Sequence, residues 1–94
     1  MKIIINIGGD RMKTYQFKGY LKAYKRLNNS VNGNPCYWLE FENDNAYLDG
    51  RTKSDASCGY SCLNWIDRER IVHYHYTRKG NLIIDRIQIS GIDY

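Results

Sequence analysis

Between Lys13 and Leu27 the chain alternates with a period of two over an unusually long stretch. The odd positions hold Tyr15, Phe17, Gly19, Leu21 and Ala23; the even positions hold Thr14, Gln16, Lys18, Tyr20, Lys22, Tyr24 and Arg26. Period two is the repeat of a β-strand, whose side chains point to alternate faces. A helix is the rival, because Leu21, Ala23 and the lysines are tolerated there. The Tyr and Thr content and Gly19 favour the strand. A glycine in mid-strand marks a bulge or a tight bend. The 94 residues have room for one domain and a small core, so residues 1–94 are read as a single unit.

Turn signals cut the remainder into short pieces rich in β-formers. Lys2 to Ile7 reads as a leader strand ended by Gly8-Gly9-Asp10. Asn28 to Pro35 is a loop with Asn-Gly and Asn-Pro signals. Cys36 to Glu42 is a second strand, with Tyr37, Leu39 and Phe41 on one side and Cys36, Trp38, Glu40 and Glu42 on the other. Asn43-Asp44-Asn45 turns the chain into a third strand, Ala46 to Lys53, broken by Asp49-Gly50. Ser54-Asp55 resembles a helix start, and Ala56 to Leu63 is expected to form one or two helical turns. Arg70 to Thr77 and Leu82 to Ile89 are strands joined by the hairpin turn Arg78-Lys79-Gly80-Asn81. Residues 90–94 are a tail. The expected core is Tyr15, Phe17, Leu21, Leu39, Phe41, Val72, Ile83, Ile87 and Ile89.

This order over residues 13–89 resembles the OB-fold: a long glycine-bent first strand, two more strands, a small helix, then a closing hairpin. The resemblance implies a mainly β protein, a five- to six-stranded barrel with one short helix between the third and fourth barrel strands. Such barrels bind oligonucleotides or oligosaccharides on the strand two and three face and its loops. An SH3-like barrel or another small β-roll is the alternative. The pieces Arg26 to Pro35 and Arg51 to Ser57 also resemble small proteins of bacteriophages and mobile elements.

Charge is segregated along the chain. Fourteen Lys and Arg against ten Asp and Glu give a net charge of +4. Six of the basic residues, Arg11, Lys13, Lys18, Lys22, Lys25 and Arg26, occur with no acid among them. Glu40, Glu42, Asp44 and Asp49 come after them. Tyr15, Tyr20 and Tyr24 give this basic stretch aromatic company. The expected surface is the even face of the long strand, Lys18, Tyr20, Lys22, Tyr24 and Arg26, joined by Trp38, Arg51 and Lys53. Cations track phosphates and rings stack on bases, which suits single-stranded nucleic acid. The same surface suits a host protein as partner, as an inhibitor carried by a phage or mobile element would, because Tyr, Trp and Arg dominate protein interfaces. The plain reading is a solvated strand whose tyrosines pack beside lysine stems. Glu40 and Glu42 share the face with Trp38 and would pair with Lys22 and Lys18 instead of admitting phosphate.

Other constellations point less far. Cys58, Cys62, His73 and His75 could in principle supply four zinc ligands, but the Cys-x2-Cys spacing of structural zinc sites is missing. Three cysteines leave one thiol unpaired in any disulfide scheme and fit a reducing compartment. No phosphate loop, nucleophile elbow or metalloprotease helix is present, so the chain is read as a non-enzyme without cofactor. Ile3-Ile4-Ile5 falls short of the about 7–15 apolar residues of a secretory segment and of the about 20 that span a membrane. A cytoplasmic protein is expected. The apolar strand 3–7, buried on both sides or paired with another chain, would serve a homodimer.

Overall fold

A computed structural model describes residues 13–54, 58–64 and 67–91. The expected leader strand, with the dimer contact assigned to it, lies outside these residues, as do Asp55, the first two residues of the expected helix (Ala56 and Ser57) and most of the tail. Five strands form: β1 Tyr15–Arg26, β2 Tyr37–Glu42, β3 Tyr47–Thr52, β4 Arg70–Tyr76 and β5 Leu82–Ile89. They close into a barrel in the order β1-β2-β3-β5-β4, which is compatible with an OB-like arrangement. The helix expected over Ala56 to Leu63 is not supported at that length. What is described is one helical turn, Cys58–Ser61, labelled α1. Asp49-Gly50 does not break the third strand, which runs through both residues. Among the described residues no helix is long and apolar enough to cross a membrane.

Closure depends on β1 serving two partners. Tyr15 to Gly19 pair with β4, and Tyr20 to Arg26 pair with β2. The strand changes neighbour at Gly19. A Cβ built there would lie 2.5 Å from the backbone oxygen of Glu42 and 2.7 Å from the Phe17 ring. Only glycine lets the two backbones approach this closely. The bend anticipated at Gly19 is thus the barrel's corner.

β3 and β5 run parallel and share only two registered pairs, Arg51 with Ile83 and Thr52 with Ile84. Gly50 makes this short seam feasible. A Cβ on it would collide with a Leu82 methyl and lie 2.8 Å from the Leu82 carbonyl oxygen.

Leu39, Phe41, Leu48, Val72 and Ile84 fill the interior together with Cys58 and Cys62. Phe17, Leu21, Tyr37, Tyr74 and Ile87 pack against them. Two expected core residues fall elsewhere. Tyr15 is 37% exposed and stacks on Tyr74 at 5.5 Å. Ile83 yields its place to Ile84, which is fully buried. The cause is a register shift: His73 pairs with Arg86 and Tyr74 with Ile84, so Asp85 is the extra residue and the strand's facing inverts.

Arg70 is fully buried. Its guanidinium donates to the carbonyl oxygens of Cys62 and Asn64. The 58–64 segment is thereby tied across the end of the barrel, with Arg70 opposite Gly19 and Ile89. Burial lowers the pKa of the guanidinium below its ordinary value.

Candidate functional site

The even face of β1 does not stay on one side. Tyr20 faces Glu42, but the register shifts between Leu21 and Ala23, with Lys22 as the added residue. Beyond it Ala23 lies opposite Glu40, Tyr24 opposite Leu39, Lys25 opposite Trp38 and Arg26 opposite Tyr37. Directly paired residues share a face. Lys18 and Tyr20 therefore face outward, whereas Tyr24 and Arg26 turn to the side of Leu39 and Tyr37. They remain exposed there. The single surface expected from alternation is split by a bulge.

The cations of that stripe have partners within the chain. Lys22 lies 3.6 Å from Glu42 and over the Tyr47 ring. Lys18 reaches Glu69 at 3.9 Å rather than an acid of β2. Arg26 donates to Asn29 at 2.5 Å and to the carbonyls of Leu27 and Cys36, and its guanidinium lies over Tyr37. It thus serves to hold the 27–36 loop. The pairs of Lys18 and Lys22 are exposed and weak individually.

A different arrangement crosses the outside of the barrel. Lys25 pairs with Trp38, Trp38 with Arg51, Arg51 with Ile83, and Ile83 with His75. These five residues from β1, β2, β3, β5 and β4 form one transverse row. Beside it opens a groove of about 650 Å³, lined among others by Trp38, Arg51, Lys53, Ser54, His75 and Asn81. A second recess of about 400 Å³ adjoins it, sharing Trp38, Asn81 and Leu82 and adding Tyr47, Asp49 and Tyr76. The recess exists because β3 meets β5 only at its far end, leaving its first half parted from the β4–β5 hairpin.

Trp38 offers a ring, 38% exposed. Arg51 offers a planar fork of donors suited to phosphate or carboxylate. His75 is oriented by Asp85, whose carboxylate accepts from Nδ1 at 2.9 and 3.0 Å. The bulge that displaces Asp85 from the ladder brings it to this ring. The next row carries the opposite charge, with Glu40 directly opposite Asp49. A hydrogen bond to Glu40, with burial and the nearby acids adding to it, pushes the Tyr47 phenol up to about 12.

Of the eight expected binding residues, the groove gathers Trp38, Arg51 and Lys53. Lys18, Tyr20 and Lys22 lie elsewhere on the outer face, and Tyr24 and Arg26 on the other side of β1. Sequence reasoning missed Lys25, Asp49, Tyr76, His75 and Asn81. Lys25 occupies an odd position, which pure alternation assigns to the interior.

The four-residue zinc set is not assembled. Cys58 and Cys62 join the core cluster. His73 pairs with Arg86 between inward-facing neighbours, so it lies outside, and it bonds Gln88 at 2.6 Å. Among the described residues no three His, Cys, Asp or Glu side chains form a metal-holding group. Burial pushes the Cys58 thiol up to about 12 and the Cys62 thiol up to about 11, so both are protonated near neutrality. No protein-family model, curated protein or solved structure matches the chain, so neither the OB-fold resemblance nor the one to small phage proteins gains support from a relative.

Proposed function

We propose that this barrel is an OB-fold and that it binds single-stranded nucleic acid across the outer face of β2 and β3. Trp38 stacks on a base, and Arg51 and Lys53 hold phosphate. The observation that carries the reading is the transverse row Lys25–Trp38–Arg51–Ile83–His75, which sets a ring between two cations beside a groove. OB barrels bind on this face and on the loop between their last two strands, and Asn81 comes from that loop here.

Titration with a single-stranded oligonucleotide tests it. Binding should quench Trp fluorescence and weaken steeply as salt rises, because phosphate contacts release counterions. Absence of binding to DNA and RNA oligonucleotides at about 50 mM salt overturns it.

A second reading has its own observation. Tyr15, Tyr74 and Tyr76 form a cluster with ring centroids 5.5 to 5.8 Å apart. A tyrosine cluster of this kind suits a protein partner, such as the host target of an inhibitor from a phage or mobile element. Pull-down by wild-type protein but not by a Tyr15→Ala, Tyr76→Ala variant, with no oligonucleotide bound, supports this second reading over the first.

A further inference from the structure

The recess beside Trp38 is chemically unlike the groove it adjoins. Trp38, Tyr47 and Tyr76 supply aromatic walls, 38%, 51% and 50% exposed, and Asp49 is the acid among its lining residues. Glu40, opposite Asp49, is engaged by the Tyr47 phenol. Among the described residues no hydrogen bond or ion pair occupies the Asp49 carboxylate. Arg51 stands two residues further along β3 on the same face, about 7 Å away at strand spacing. An acceptor-only group in an aromatic recess thus sits one row from a phosphate-binding cation.

A phosphate cannot lie against Asp49 without repulsion, so the recess suits the base end of a nucleotide whose phosphate rests at Arg51. The base must then present donors. In a single strand the Watson–Crick edge is free to be read, and a carboxylate has two oxygens that accept only. Guanine presents two adjacent donors, N1–H and the N2 amino group, which match those oxygens as a pair. Cytosine and adenine present one amino group beside a ring nitrogen that repels the carboxylate. Thymine and uracil place N3–H between two carbonyl oxygens, the poorest match.

Resting on the binding function proposed above, we infer that the recess formed by Trp38, Tyr47, Asp49 and Tyr76 is a nucleobase pocket that selects guanine, with Asp49 as the specificity-determining residue. A paired contact of this kind discriminates about tenfold or more against the wrong base.

The test compares three single-stranded DNA probes of equal length at low salt: alternating guanine and thymine, the same sequence with inosine for guanine, and oligothymidine. Inosine lacks only the N2 amino group. The guanine probe should bind about tenfold more tightly than oligothymidine, and inosine should forfeit most of that margin. Asp49→Asn should abolish the preference of guanine over inosine and raise affinity for oligothymidine, since it removes a repelling charge. Equal affinity for all three probes overturns guanine selection while leaving strand binding intact. Failure of all three to bind at about 50 mM salt overturns the underlying reading instead.

Discussion

The β1 stripe and the groove across β2, β3 and the β4–β5 hairpin have nearly the same composition, yet they differ in what their charges are doing. On β1, Lys22 and Lys18 face Glu42 and Glu69, and Arg26 is engaged with its own loop. In the groove, Arg51 lies between Trp38 and Ile83 in the outer row. The acids of β2 account for much of the contrast. Glu42 sits in the row of Tyr20 and Lys22, and Glu40 is opposite Asp49 rather than in the row of Arg51. The same residue types thus sit in different charge surroundings, set by the cross-strand neighbours that each register brings.

Substitutions can break this comparison, and the largest effect belongs to Trp38. Replacing it with Ala should cost about 1–3 kcal/mol of oligonucleotide affinity, the value of one stacked base, measured by anisotropy of a labelled strand. The double variant Tyr20→Ala, Tyr24→Ala should cost much less. A larger loss there than at Trp38 would return the site to β1.

Gly50→Val comes next. It should lower stability by about 1–3 kcal/mol through overpacking against Leu82. A thermal melt reads the effect. Unchanged stability would mean that the β3–β5 seam is not closed as described.

Arg51→Ala should reduce the slope of log affinity against log salt by about one phosphate's worth. Lys22→Ala should leave that slope nearly unchanged and alter stability by only about 0.2–1 kcal/mol. Equal slopes for the two variants would erase the distinction between the surfaces.

Alkaline pH should act on the core and leave the comparison of the two surfaces untouched, because Cys58 and Cys62 belong to the interior cluster. Cys58 and Cys62 are held neutral, with pKa values raised from 9.0 to about 12 and about 11. A raised thiol pKa means that the folded state retains protons which the unfolded chain releases. Their contribution to stability is full below pH 9 and declines as pH rises from there towards 11. The melting temperature should fall across that window, and Cys58→Ala, Cys62→Ala should flatten the decline.

Much of the barrel was legible in the sequence. Alternation identified β1, turn signals and β-formers marked off the other four strands with the Asn43-Asp44-Asn45 turn and the Arg78–Asn81 hairpin, and Gly19 marked the corner. Register was not legible. The bulges at Lys22 and Asp85 each invert the facing of the residues beyond them, and nothing local announces them, because an extra residue is defined only against a partner strand. Hence Ile84 replaced Ile83 in the core, and Tyr24 left the face of Tyr20. Arg70 was equally hidden. It begins a strand like any exposed residue, and its burial depends on carbonyls supplied by the 58–64 segment. The candidate groove was half legible for the same reason: Trp38, Arg51 and Lys53 were among the expected residues and line it, while the fold alone could place Asp49, Tyr76 and His75 beside them.

The thin joint between β3 and β5 also bears on how the molecule breathes. With two registered pairs against five or more at every other junction, it is the place where the closed sheet parts most easily. Amides of Arg51 to Lys53 should exchange with solvent sooner than those of β1 or β4. The groove lies along that joint, so anything seated in it touches both lips. Occupancy would clasp the sheet shut, and slower exchange at the seam would report binding without any label on the ligand.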